Sequence, residues 1–593
     1  MGFIAKSISE RIGSSAIVNI SIMKLSFLVV FVVGCFLGGC ILADCLHWET
    51  KTKPPNIVII LADDMGSDDV SYRGSHEFLT PNIDALAYHG KILNRLYAPP
   101  LCTPSRATLM TGLYPIHTGT QHFVLSNDEP WGILENHNTM PKIFQANGYS
   151  TNLVGKWHLG MGRKEFTPTY QGFDHHYGYW GGFLNYYRKR SQMFDSSKGY
   201  DFRRNMDVLC TPKDTYVTDL FTEEAERIIL ENNGSKPLFL LVAHSAPHTG
   251  DFDELMQAPQ EEIEKFSYIP DMQRRTYAAM VSKLDESVGR IIHSLDRASM
   301  LDNSIVLFYS DNGGPTVGLF NNTGSNWPLR GQKMSPWEGA IRVPGAIWSP
   351  LIKSKTSLNN QPIYVGDLLP TLAAAANIEL KQKFDGINVW PDLAFNKPGR
   401  WPWKYQEREI LHMLDDIWNT TSYMKGQYKY IRGTTLQGQY DGVLSRRDPN
   451  IYDPRDINYH QTIKSSLASK SLEKYDDRKL TSETINKLRL QAEIHCKAAG
   501  TACNALKEEC LYNICSDPCE QNNLAKDRTY ANVLTKMRQQ VEAFRESAVS
   551  PKTGGIQPQY GPSWHNCMWN NFLEEPPTEF VKQCDYNSPP CQA

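Results

Sequence analysis

Asn56-Ile57-Val58-Ile59-Ile60-Leu61 is an unbroken apolar run that stops, after Ala62, on the paired acids Asp63-Asp64. The pattern recurs twice. Leu238-Phe239-Leu240-Leu241-Val242-Ala243 runs into the segment from His244 to His248, and Ser304-Ile305-Val306-Leu307-Phe308-Tyr309 runs into Asp311-Asn312-Gly313-Gly314. Continuous apolar strands of this length are those buried on both faces. Helical periodicity separates them. Tyr277, Val281, Leu284, Val288, Ile291 and Leu295 recur at steps of three or four inside 271–300; 216–232 reads the same way, and Pro370 stands early in another helix. Strands alternating with covering helices predict an α/β fold with a large mixed, mostly parallel sheet. In such a sheet ligands gather at the carboxyl ends of the strands. Acids, amides and imidazoles from three distant segments therefore meet on one rim.

With 593 residues the chain has room for a wide sheet and a second unit. Beyond about residue 410 the pattern changes to short strands such as Tyr428-Lys429-Tyr430-Ile431, many cysteines and one late helix over 532–547. The expected organisation is an α/β domain over 54–410 and a smaller, disulfide-rich α+β domain with an antiparallel sheet over 411–593. A formal net charge of −3 excludes the strongly basic face of a nucleic-acid binder, so attraction to an anionic ligand has to be local.

The N-terminus and the cysteines speak to compartment. The apolar run from Leu25 to Ala43 after Lys24 reads as a signal peptide over 1–43, with an uncleaved signal anchor as the alternative and Met23 as a second possible start. Of thirteen cysteines, Cys35 and Cys40 fall in that run; setting Cys102 aside leaves ten, an even number. Eight of these crowd the C-terminal end: Cys496, Cys503, Cys510, Cys515, Cys519, Cys567, Cys584 and Cys591. Disulfides are the expectation in an oxidising compartment, with zinc at Cys515 and Cys519 the rival. Asn233, Asn321 and Asn419 head glycosylation acceptor triplets.

Cys102-Thr103-Pro104-Ser105-Arg106-Ala107-Thr108-Leu109-Met110-Thr111-Gly112 places a potential nucleophile just ahead of a predicted helix start, with an arginine one turn in. Exposed N–H groups of a first helical turn favour negative charge there. Asp63-Asp64 and Asp311-Asn312 offer three carboxylates and an amide oxygen, which suit calcium better than magnesium or zinc. Cys-x-Pro-Ser-Arg with Leu-Met-Thr-Gly resembles the signature of the sulfatases. Gly155-Lys156-Trp157-His158 resembles their second signature, and the stretch from Asn326-Trp327-Pro328-Leu329-Arg330-Gly331-Gln332-Lys333 to Trp337-Glu338-Gly339 resembles their lysine-bearing loop. Leu511 to Leu524 resembles their tail motif.

The resemblance implies an alkaline-phosphatase-like sheet and a cysteine oxidised to formylglycine by the formylglycine-generating enzyme. It makes Asp63, Asp64, Asp311 and Asn312, with the modified Cys102, the ligands of one calcium ion. Arg106, Lys156, His158, His248 and Lys333 complete the implied pocket, with His244 in reserve and Arg330 a weaker rival to Lys333. Thr249-Gly250 after His248 departs from the His-x-Pro common in the family. The implied chemistry is attack by an aldehyde hydrate on sulfur, with Lys156 and Lys333 on the sulfate oxygens, His248 protonating the leaving alcohol and His158 accepting the proton that frees sulfate. Within the family the pattern is most similar to the arylsulfatase B branch. That branch implies 4-sulfated N-acetylgalactosamine of dermatan or chondroitin sulfate as substrate, and a lysosomal or extracellular location with no membrane partner after signal cleavage. A phosphate or phosphodiester hydrolase of related architecture, which would want two metals and more histidines, and a silent glycan-binding relative are the alternatives.

Overall fold

The computed structural model describes residues 53–574, apart from 133–136, 193–196, 213, 355–356, 396–406, 446, 477–478, 498–499, 501 and 566. The expected signal segment 1–43, Cys584 and Cys591 lie outside the described residues. A ten-stranded sheet runs from edge to edge through Leu358–Asn359, Lys91–Leu93, Gly345–Trp348, Ser304–Ser310, Asn56–Ala62, Leu238–Ala243, Ser150–Lys156, His175–Tyr179, Arg203–Arg204 and Asp207–Val208. Its five central strands, from Ser304–Ser310 to His175–Tyr179, are parallel, and antiparallel pairs flank them on both sides. The expected mixed, mostly parallel sheet is present.

Alternation along each strand explains why the apolar runs are unbroken. Ile57, Ile59 and Leu61 enter one core, while Val58, Ile60 and Ala62 enter another on the opposite face. The second core is covered by Val217–Leu230 and Met272–Arg297; all six periodic positions from Tyr277 to Leu295 are fully buried in it. Asp271 caps the long helix by accepting from the Arg274 N–H, which satisfies one donor of the first turn. The first core is covered by Cys102–Thr111, Met140–Ala146 and Leu368–Ala375.

A separate antiparallel sheet is built from Glu409–Asp415, Thr420–Lys425, Tyr428–Arg432 and Cys510–Asn513. The helix Ala531–Ser547 packs on it through Leu534, Met537 and Val541, and these share one core with Ile57 and Leu307. Lys429 binds the two parts of the chain together: fully buried, it lies 3.1 Å from Glu338 Oε1 and 2.7 Å from Glu520 Oε1. Cys519 bonds to Cys496, and Cys503 to Cys510, so the zinc alternative for Cys515 and Cys519 loses a ligand. No described helix is long and apolar enough to cross a membrane.

Candidate active site

Four parallel strands deliver polar groups to one rim. Asn56–Ala62 leads into Asp63 and Asp64, Ser304–Ser310 into Asp311 and Asn312, Ser150–Lys156 ends on Lys156, and Leu238–Ala243 leads to His248. Gly155 lets two of these strands close up, since a Cβ there would meet the Ala243 carbonyl oxygen at 1.9 Å. Asp64 and His158 adopt left-handed backbone at φ 66° and 62°, the local strain that functional side chains tend to carry.

Cys102 opens the helix Cys102–Thr111 as its first residue. This corrects the expectation that it stands ahead of the helix: the Leu101 backbone is extended and caps it, so the thiol sits among the unsatisfied N–H groups of the first turn. The thiol is buried and outside any disulfide. Its Sγ lies 3.3 Å from Lys333 Nζ and 3.5 Å from Asp63 Oδ1. Burial raises the thiol's pKa well above its usual value despite Lys156 and Lys333.

Around it the charges interlock. Lys156 Nζ donates to Asp63 Oδ2 at 2.6 Å, and Lys333 Nζ lies 2.7 Å from Asp64 Oδ1. Arg106 Nε and Nη2 both donate to Asp311 Oδ2, at 3.1 and 2.8 Å. Asn312 Nδ2 donates to Asp64 Oδ1 at 2.6 Å, and the Asp64 N–H to Asp311 Oδ1 at 3.2 Å. Burial opposes ionisation of Asp63, yet Lys156, His248, Arg106 and Lys333 hold its carboxyl far below the usual range. Asp311 goes the other way, pushed up to about 7 by burial and by the Asp63 charge. Ligand atoms of Asp63, Asp64, Cys102 and His248 lie within 4.8 Å of one another. Asp311 and Asn312 join that group through Asp64.

Two backbone carbonyls set the imidazoles. His248 Nδ1 lies 2.8 Å from the Thr249 carbonyl oxygen, which leaves Nε2 facing Asp64 Oδ2 at 3.4 Å. His158 Nε2 lies 2.9 Å from the Leu125 carbonyl oxygen, and its buried Nδ1 has no hydrogen-bond partner among the described residues. Any residue at 249 offers that carbonyl, so the contact makes no demand on the side chain there. His244 turns away to Ser287 Oγ at 2.9 Å, and Arg330 stacks on Trp337 at 3.5 Å. Both reserve candidates are engaged away from the acid cluster.

His244 yields a pH test. Burial holds its pKa down at about 3, against 6.5 in the open. Above 6.5 both folded and unfolded rings are neutral; below it the unfolded chain takes up a proton that the folded chain refuses, so this group costs stability from pH 6.5 down to about 3. His244→Gln, which can still bond Ser287, should therefore narrow its stability deficit against the parent by about 1–3 kcal/mol between pH 7 and pH 4 in denaturant titrations. A deficit independent of pH would refute the assignment.

Other groups at the site carry no local sequence signal. Asn322 Nδ2 donates to the carbonyls of Asp64 and Pro247, each at 3.0 Å, and so joins two rim loops. Phe183 and Phe320 flank His248 at ring distances of 6.0 and 5.7 Å, and Lys333 Nζ lies 4.8 Å from the Phe320 ring. The sequence offered Asn322 only as the middle of the 321–323 glycosylation triplet.

An open α/β sheet whose rim holds buried acids, three cations and a buried, unbridged thiol defines a pocket for an oxyanion. A family model described as Sulfatase matches residues 55–378. Arylsulfatase J of Mus musculus is 31% identical over 546 residues, covering 88% of this chain and 81% of its own length. Human N-acetylgalactosamine-6-sulfatase is 30% identical over 356 residues, 58% of this chain and 66% of its own. Among solved structures, Ps i-CgsB in complex with k-i-k-neocarrahexaose has a TM-score of 0.65 and 27% identity, covering 86% of this chain and 96% of that one. The chain belongs to the sulfatase family.

Proposed function

We propose that this protein hydrolyses sulfate monoesters at Cys102 once the formylglycine-generating enzyme has oxidised that residue to formylglycine, beside one calcium ion. The observation that carries the reading is a buried, unbridged Cys102 Sγ lying between Lys333 Nζ and Asp63 Oδ1. Asp63, Asp64, Asp311 and Asn312 would hold the calcium. They fit a hard cation: three buried carboxylates crowd together, burial and then the Asp63 charge drive up the pKa of Asp311, and the buried Asn312 Oδ1 has no donor among the described residues. Among the described residues a single cluster of metal-ligating groups is found there, which favours this reading over a two-metal phosphatase. Bound together, calcium and the aldehyde hydrate would supply positive charge for the sulfate oxygens and the oxygen nucleophile.

The chain's own residues do the rest. Lys333 and Lys156 sit at the mouths of Asp64 and Asp63, placed to take sulfate oxygens. Arg106 braces Asp311, and through Asp311 the backbone of Asp64. Burial lowers the pKa of His248 to about 4, so its ring rests neutral; an arriving sulfate adds the negative charge that raises it, and Nε2 can then give a proton to the departing alcohol. His158 Nδ1, the neutral acceptor, takes the proton whose loss releases sulfate. Phe183 and Phe320 flank His248 and would contact the leaving alcohol.

The substrate we propose is the 4-sulfate of terminal N-acetylgalactosamine in dermatan or chondroitin sulfate. The motif resemblance supports the 4-position; similarity to N-acetylgalactosamine-6-sulfatase supports the sugar but not the position of its sulfate. Disulfides support a secretory route, lysosomal or extracellular. The test is protein co-expressed with the formylglycine-generating enzyme. Mass spectrometry should find an aldehyde at position 102, p-nitrocatechol sulfate should turn over, and p-nitrophenyl phosphate should not. The 4-sulfated sugar should be preferred over the 6-sulfated one. An unmodified thiol, or preference for the phosphate ester, would overturn the reaction; preference for the 6-sulfate would overturn the substrate.

A further inference from the structure

A second cavity, of about 470 Å³, opens on the same end of the sheet as Cys102 but to one side. Asn94 and Arg95 follow the strand Lys91–Leu93, and Arg342 precedes Gly345–Trp348; these strands stand three and two places from Asn56–Ala62. At strand spacing the displacement is about 10–15 Å. The facing wall comes from the C-terminal part of the chain, with Glu493 and His495 on one side and Cys515 and Pro518 on the other. The Cys496–Cys519 disulfide ties the two sides of that wall together. The volume lies within the roughly 300–1,000 Å³ of small-molecule sites.

The charges lining it are mostly positive and mostly buried. Arg342 is 5% exposed; its Nε donates to the Asn94 carbonyl at 2.9 Å and its Nη2 to Asn94 Oδ1 at 3.5 Å, both neutral, and it forms no ion pair among the described residues. Burial holds its pKa below the usual arginine value; Tyr97 and Glu338 pull the other way, and Arg95 adds repulsion. Arg95 is 7% exposed and donates to Cys515 Sγ at 3.3 Å. Glu493 is the acid lining the cavity, and its Oε1 is already engaged by Arg447 Nη1 at 2.8 Å. A buried cation with no acid in ion-pair contact is costly, and an anion seated beside Arg342 would offset that cost. Asn94 Nδ2 donates to Asn360 Oδ1 at 2.7 Å, so the amides along this wall are positioned together with the guanidinium. Asn360 and Gln361, exposed at the rim, offer further polar groups of the kind that bind sugar hydroxyls.

We propose that this cavity is a second anion site, distinct from the Cys102 pocket, which takes a sulfate oxyanion either free or carried on a sugar. It stands independently of the reaction proposed above. Full-length protein carrying Cys102→Ser, which cannot turn substrate over, is titrated calorimetrically with sodium sulfate and with a 4-sulfated chondroitin disaccharide. Two binding events are expected. Adding Arg342→Gln should weaken one of them ten-fold or more and spare the other. Gln361→Trp, at the exposed rim, should block the same event and serves if Arg342→Gln folds poorly. Loss seen with inorganic sulfate alone assigns the site to the free ion, and loss seen with the disaccharide assigns it to the sugar. A single event that Arg342→Gln leaves unchanged, or two events unchanged by both substitutions, overturns the proposal; a single event that Arg342→Gln abolishes assigns it to this cavity and counts against sulfate binding at Cys102 instead.

Discussion

Cys102→Ser abolishes sulfatase turnover in a protein that still folds: kcat falls on the order of 10⁴-fold or more, as for removal of a covalent nucleophile elsewhere. Two features of the structure separate activity from folding here. The thiol bridges no other cysteine, so no cross-link is lost. A serine hydroxyl of nearly the same shape can still accept from Lys333 Nζ and donate to Asp63 Oδ1, the two contacts that Sγ makes. Stability should therefore stay within about 1 kcal/mol of the parent. On the reaction proposed above the chemistry cannot survive, because the aldehyde would be made from a cysteine. Parallel thermal melts and p-nitrocatechol sulfate kinetics check both halves; near-parental turnover would remove Cys102 from the reaction.

Asp311→Ala has the second largest expected effect, and it should damage metal retention and the fold together. Asp311 Oδ2 accepts two hydrogen bonds from Arg106, and its Oδ1 accepts from the Asp64 backbone. Removing the carboxylate leaves a guanidinium 3% exposed with only the more distant Asp63 at 3.7 Å for charge. Breaking a buried pair in this way costs about 3–5 kcal/mol. Calcium content by elemental analysis should drop below half an equivalent, and activity should fall in proportion. Asp311→Asn is the control: it keeps the shape and an oxygen acceptor, and should recover much of the stability but less of the calcium. Full calcium content in Asp311→Ala would return this residue to the role of a loop acid that braces Arg106.

Much of the site was legible because the chemistry lies in short local strings. Asp63-Asp64, Cys102 to Arg106, Lys156 to His158 and Asp311-Asn312 each carry their meaning within a few residues, and each sits at a strand end or helix start that apolar patterning marks. The helix start itself was displaced by one step. Cys102 turned out to be its first residue because the extended Leu101 backbone, which no propensity marks, provides the cap. The histidines were harder. His244 and His248 stand four residues apart in one loop, and only the packing of Ser287 from a distant helix draws the first away from the acids. Asn322, Phe183 and Phe320 carried no signal at all, since their roles consist of contacts with chain far away in sequence.

By itself, the sequence determined the class of sheet, the rim on which chemistry collects and the set of ionisable groups available there. Those follow from local rules: unbroken apolar runs must be buried on both faces, and polar residues must leave a buried strand at its end. Tertiary structure alone decided which cation meets which acid, which imidazole nitrogen faces Asp64, and that two guanidiniums far apart in the chain wall a second cavity. Those outcomes depend on distances between segments hundreds of residues apart, and electrostatic and hydrogen-bond energies in a buried pocket change steeply over a single ångström.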